Sequence, residues 1–180
     1  MPTVFTHSFF AAALGKLFFP GERLPARFWV LAAVCAALPD ADVLAFLFGV
    51  PYGDLFGHRG FTHSLLFALL LGLGVVAVFF RGSPRKAPLA GFFFLATASH
   101  GLLDALTDGG SGVAFFAPFD NGRYFFPFRP VEVSPISVTR FLSARGLEVI
   151  QSELLWVWLP VSLAAGAAVL ASRASKGRRS

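Results

Sequence analysis

The chain has 180 residues, of which 56% are hydrophobic and only 14% charged, and its mean hydropathy is +0.69. A soluble domain carries about 25% charged residues, so this composition excludes an ordinary soluble globule and indicates one membrane-embedded domain over 1–180. The net charge of +5 invites a nucleic-acid partner, but the basic residues sit in short flanks and in the tail RASKGRRS, where they set topology and meet anionic lipid, so nucleic acid is not an expected partner.

The first element, 3–19, is short and amphipathic and carries His7 and Lys16, so it spans the bilayer or lies against the bundle. No basic cluster precedes it, which argues against a cleaved signal peptide. Residues 28–50, 61–80, 87–106 and 154–172 are each apolar and long enough to cross a hydrocarbon core of about 30 Å, which takes about 20 residues. The expected fold class is all-α, an integral membrane helical bundle of four to five helices. Pro39 should kink or break the second segment beside Asp40 and Asp42. Cys35 is the only cysteine, which excludes an internal disulfide and any Cys-rich zinc site.

The connection 107–153 is too long for a simple turn and contains FFAPFDNGRYFFPFRP. Its phenylalanines suit an aromatic belt at the membrane interface, or a lid that covers a site and grips an acyl or prenyl chain. Within it, 137–151 reads as a short amphipathic helix on the bilayer. Trp156 and Trp158 then anchor the last helix.

Basic clusters fix the orientation. Arg23 and Arg27 precede the second segment, Arg81, Arg85 and Lys86 fill the turn between the third and fourth, and Arg173, Lys176, Arg178 and Arg179 follow the last. Basic flanks stay in the cytoplasm. Asp40 lies 13 residues beyond Arg27, His63 lies 18 before Arg81, and His100 lies 14 beyond Lys86, or about 20 to 27 Å at 1.5 Å per residue. The polar minority therefore converges toward the opposite, extracytoplasmic face, with the long Phe-rich loop on the same side. Charged side chains at membrane depth cost roughly 2.5 to 3.5 kcal/mol each, so they persist where they pair or bind something.

The spacings suit metal ligation. His100 and Asp104 are four apart in SHGLLDAL, on one helical face. In GHRGFTHS, Gly57 and Gly60 loosen the backbone, so that His58 approaches from the loop while His63 projects from the first turn of the next helix. In LPDAD, a kink lets Asp40 and Asp42 point differently, one as ligand and one as the acceptor that orients a histidine; which is which stays open. Nitrogen and carboxylate donors without thiolate suit zinc, with manganese or iron as alternatives. A metal with an open coordination position activates water for hydrolysis.

The ordered series TH at 6–7, PDAD at 39–42, HRGFTHS at 58–64, SHGLLD at 99–104 and APFDNGRYFFPFRPVEVSP at 117–135 resembles the YdjM-type family of membrane-bound, metal-dependent hydrolases over nearly the whole chain. That family is similar in turn to the zinc-dependent phospholipase C and single-strand nuclease superfamily. The resemblance implies His7, Asp40 or Asp42, His58 or His63, and His100 with Asp104 as ligands, Asp104 being able to bridge two ions. The further histidines of that superfamily are missing here, which implies one or two ions.

Each residue has a plainer alternative. His63, His100 and Asp104 would also be satisfied by a hydrogen-bonded network without metal. His58 is open to simple solvation, Asp54, Asp108 and Asp120 to turn capping, and Glu153 to an interfacial, solvated position. Arg59 either holds a phosphate bidentately beside the metal or snorkels to lipid headgroups. Arg123 and Arg129 share that ambiguity. The expected function is a hydrolase of a lipid or amphipathic phosphoester at the extracytoplasmic face of a bacterial or archaeal membrane, with Asp40 or Asp42 as general base and Arg59 stabilising developing charge. A metal-ion or proton-coupled carrier is the rival from another class, and a membrane protein with a structural metal site is the third.

Overall fold

The computed structural model describes residues 1–135 and 137–177; Arg178 and Arg179 of the basic tail lie outside the described residues. Among these the fold is all-helical, with isolated bridges Thr107 to Val131 and Val113 to Tyr124 in the long connection.

Helix α1 (Val4–Phe18) starts at Thr3, whose hydroxyl accepts from Thr6 N–H. Helix α2 (Ala26–Ala37) gives way to a 3₁₀ helix over Leu38–Phe48. Pro39 explains the change: it has no N–H, and its ring would meet the carbonyl four residues back. Helix α3 (Leu65–Phe79) is capped by Ser64, whose Oγ accepts from Phe67 N–H at 3.1 Å. Helix α4 (Lys86–Ala105) is central, packing on α1, α2 and α3. The residues expected as one helix over 137–151 form α5 (Val138–Phe141) and α6 (Ala144–Glu153) instead, with Ser143 capping the second. A π turn at Leu154–Trp158 carries α6 into α7 (Leu159–Gly177), opening the ladder just before Pro160, where a regular hydrogen bond has no donor.

Among the described residues two helices are long and apolar enough to cross a membrane, Ala26–Phe48 with 23 residues and Ala144–Gly177 with 34. Only 28% and 11% of their most apolar stretches are buried, so their apolar side chains face outward, as lipid contact requires. The other expected spans fall short of this measure: α1 and α3 have 15 residues each, and α4 carries Lys86, His100 and Asp104 in its 20. Length and composition therefore support two spans where the sequence predicts four to five.

An aromatic core of Phe28, Phe92 and Phe93, all fully buried, fills the middle of the bundle. At one end Arg27, Arg81 and Arg85 line a cavity of about 520 Å³, and Ser172 Oγ of α7 donates to Pro20 O below α1 at 3.0 Å. The basic clusters thus share one end, as the sequence predicts. The histidines and aspartates gather at the other.

Candidate metal centre

Helix α4 supplies His100 and Asp104 from one fully buried face. His100 Nδ1 lies 2.6 Å from Ala36 O, in the last turn of α2 where carbonyls run short of helical donors. A carbonyl only accepts, so Nδ1 carries the proton and Nε2 presents its lone pair to Asp40 Oδ1, 3.2 Å away.

The 3₁₀ helix resolves the Asp pair. At about three residues per turn, positions two apart diverge widely, and Asp40 faces the histidines while Asp42 faces the 58–63 loop. Asp42 Oδ1 takes His58 Nδ1 at 2.7 Å, and Oδ2 takes Arg59 N–H at 3.1 Å, Thr62 Oγ1 at 2.8 Å and His63 Nδ1 at 3.1 Å. Asp42 is thereby the acceptor that orients histidines, and its oxygens are too engaged to act as a general base. His63 Nε2 is turned toward Asp40 Oδ1 at 3.7 Å and Asp104 Oδ2 at 3.6 Å.

Arg59 departs from expectation. It is 1% exposed, its Nε lies 2.9 Å from Asp104 Oδ2, and its terminal nitrogens donate to Gly109 O at 2.9 Å and Thr107 Oγ1 at 3.1 Å. A fork turned inward onto a buried carboxylate neither clamps phosphate nor snorkels. Its φ of 63° is a strained, left-handed conformation for a non-glycine residue, and it allows the amide to reach Asp42 while the carbonyl accepts from Ala114 N–H at 3.0 Å. The neighbouring glycines also act differently from expectation. A Cβ on Gly57 would come within 2.2 Å of Pro51 O, and one on Gly60 within 2.2 Å of Leu55 O, so they permit tight coiling rather than loosen the chain.

Asp40, His63, His100 and Asp104 place one ligand atom each within 4.8 Å of one another. Asp40 Oδ1, His63 Nε2, His100 Nε2 and Asp104 Oδ1 are buried without a hydrogen-bond partner, and Asp104 Oδ2 has the Arg59 ion pair. Imidazole nitrogens facing carboxylates at 3.2 to 3.7 Å need a proton or a metal cation between them, and Arg59 and the buried Met1 amino group offset the carboxylate charge from the side. The donor set therefore fits a divalent metal. His7 stands beside it, its ring stacked on His100 at 3.7 Å and its Nε2 3.5 Å from Asp104 Oδ1. Asp42, His58 and His63 form a second group within 4.8 Å, but their atoms already serve one another through the bonds to Asp42.

The sequence profile of the family described as YdjM inner membrane protein matches residues 1–176. The chain belongs to the YdjM family. It is 43% identical over 169 residues to "Inner membrane protein YbcI" of Escherichia coli (strain K12), covering 92% of this chain and 96% of that one. No solved structure matches. Membership of this inner membrane family, with the two long apolar helices, makes the chain a membrane protein.

Other polar residues of this YdjM member lie away from the four-residue set. Asp54 Oδ1 caps Phe56 N–H, Asp108 Oδ1 takes Val133 N–H, and Asp120 takes Gly122 N–H and the Tyr124 hydroxyl, contacts that hold the Asp120 carboxyl below its usual range. Asp54 and Asp120 are turn caps, as expected, whereas Asp108 ties the start of the long connection to its end, 25 residues on. Glu153 is not the solvated residue expected: it is 3% exposed and accepts from Thr3 N–H, Thr3 Oγ1 and Thr6 Oγ1, while Trp158 Nε1 donates to Thr6 Oγ1 at 2.6 Å. Arg123 reaches back to His58 O and Tyr52 O at 3.0 Å each, tying the long connection to the histidine loop. Thr62 and Thr107 are site residues the sequence reading missed. Thr62 lies inside a quoted motif, whereas nothing local marks Thr107.

Proposed function

We propose that this chain is a metal-dependent hydrolase of a bacterial or archaeal cytoplasmic membrane, acting at the extracytoplasmic end of one four- to five-helix domain on a phosphoester of a lipid or other amphipathic molecule. The observation that carries the reading is the buried meeting of Asp40, His63, His100 and Asp104 within 4.8 Å, with the facing Nε2 atoms of both histidines and Asp40 Oδ1 left without a hydrogen bond. Two imidazole nitrogens and two carboxylates suit zinc, with manganese or iron as alternatives. One ion fits the four-residue set, and Asp104 Oδ1, facing His7, supports a bridging role toward a second. Bound there, a divalent cation polarises the scissile ester and lowers the pKa of water.

The remaining work falls to this chain's residues. Asp42 holds the His63 tautomer and ring orientation. Arg59 fixes Asp104 and is a positioning residue. Asp40 has the most exposed side chain of the four, at 13% against 0% for the others, which supports it as the general base that takes a proton from water. The carrier reading finds less support, because the fully buried Phe28, Phe92 and Phe93 fill the space between this set and the basic end, where a permeating ion needs polar groups.

The test is elemental analysis of protein purified in detergent, followed by an activity screen over phospholipids and prenyl phosphates with and without chelator. We expect one to two divalent ions per chain and chelator-sensitive phosphate release. Absence of any stoichiometric metal under metal-replete purification refutes the reading.

A further inference from the structure

The four-residue set opens on one side. Asp40 lines a cavity of about 200 Å³ between the start of α1 and the Ser134–Pro135 stretch. Met1, whose buried amino group faces the charges of Asp104 and Asp40, also lines it; beyond these, Thr3 and Ser134 its walls are apolar, and Phe5 and Phe141 are the largest. A neighbouring cavity of about 230 Å³ shares Thr3, Phe5 and Phe141 and runs along Ile150, Leu154 and Trp158. The Glu153 carboxylate borders it, but its oxygens are turned to Thr3 and Thr6. Together the two cavities reach the size range of small-molecule sites, about 300 to 1,000 Å³. The larger cavity lined by Arg27, Arg81 and Arg85 lies at the opposite end, beyond the aromatic core.

A polar solute gains nothing from such walls, whereas a hydrocarbon chain gains roughly 25 cal/mol for each Å² it buries. The walls are also open sideways: Phe5 is 70% exposed, and Ile150 and Leu154 are exposed on the outer face of α6 and the π turn. A chain already dissolved in the bilayer can enter there without crossing water. We infer that these two cavities form the subsite for a single alkyl or acyl chain of the substrate, its phosphoester end at Asp40 and its tail against Phe5, Phe141, Ile150 and Leu154. The inference rests on the four-residue set being a metal site and adds the substrate class, a single-chain amphiphile taken laterally from the membrane.

The experiment uses full-length protein in bilayer nanodiscs and dodecyl phosphate carrying a photoactivatable diazirine at the tail end, with cross-links mapped by mass spectrometry and bound metal measured on the same samples. Cross-links should concentrate at residues 141–158 and around Phe5, and excess unlabelled dodecyl phosphate should suppress them while inorganic phosphate should not. Ile150→Trp fills the second cavity and should weaken labelling there about tenfold, the loss expected when two methylenes no longer fit, with metal content unchanged. Labelling spread over the lipid-facing sides of α3 and α7 without saturation overturns the inference, as does labelling unaffected by Ile150→Trp. Should that variant lose its metal, the parental cross-link map decides alone. Saturable labelling at 141–158 in protein that binds no metal leaves the tail subsite standing and sinks the metal reading; retained metal with unsaturable labelling does the reverse.

Discussion

Arg59 Nε lies 2.9 Å from Asp104 Oδ2, and neither side chain reaches the surface. The pair joins the loop before α3 to the end of α4, and it leaves Asp104 Oδ1 facing His7. A buried arginine here partly offsets the charge of two carboxylates while its two other contacts, to Thr107 and Gly109, anchor the start of the long connection.

This geometry sets the outcome of Arg59→Lys. One ammonium cannot replace three nitrogens spread over Asp104, Thr107 and Gly109, so the variant should lose bound metal and melt at lower temperature in detergent. Arg59→Ala strands a buried carboxylate and should cost about 3 to 5 kcal/mol. A normal metal content and melting temperature in Arg59→Lys would overturn the positioning role and return Arg59 to the two roles open from the sequence, phosphate clamp or headgroup contact.

Metal content should sort the polar residues into three groups. His63→Ala, His100→Ala and Asp104→Ala should retain a small fraction of the parental metal. Asp42→Asn, which removes the acceptor behind His63, should weaken affinity about 10- to 100-fold. Asp54→Ala and Asp120→Ala should bind normally. Full retention in both His100→Ala and Asp104→Ala would return these residues to a hydrogen-bonded network.

The coil around His58 gives a test independent of charge. Gly57→Ala and Gly60→Ala drive a methyl into Pro51 O and Leu55 O, whereas Gly53 has open space around its Cβ position. The first two should lower folded yield and metal binding sharply, and Gly53→Ala should be silent. Equal behaviour of all three would show that the tight coil does not form.

Glu153 should separate stability from metal binding. Glu153→Leu leaves Thr3 and Thr6 donors unpaired and should cost about 1 to 3 kcal/mol of stability, while metal content stays near parental because none of the four clustered side chains touches Glu153. Loss of metal with unchanged stability would place Glu153 in the site.

Orientation is tested at Ser111, exposed in the long connection. Ser111→Cys should react with an impermeant maleimide from outside the cell. Labelling only from the cytoplasmic side inverts the proposed topology.

The site was legible wherever ligand geometry is local or follows from helix length. His100 and Asp104 share a face because they are four apart, and Asp40 and His63 meet them because the basic clusters share one end. Asp40 and Asp42 could not be told apart, since the length of the 3₁₀ run after Pro39 decides which points inward. Glu153 and Arg59 were misplaced for a related reason: their partners lie 150 and 45 residues away, and no local pattern distinguishes a charged residue destined for burial from one at an interface. Of the expected spans, 28–50 and 154–172 are long and apolar enough as helices, whereas the break at Gly60–Ser64 leaves α3 with 15 residues and α4 carries ionisable residues in its 20.

The clasp between Glu153, Trp158 and the two threonines of α1 bears on the order in which the molecule is assembled. Asp40, His63, His100 and Asp104 have all been synthesised once α4 emerges, whereas the residues that fasten the start of α1 follow some 50 positions later. Thr3 and Thr6 are therefore fastened by a later part of the chain, and a translation product ending before α6 carries every clustered side chain and the His7–His100 stack but lacks this clasp on the start of α1.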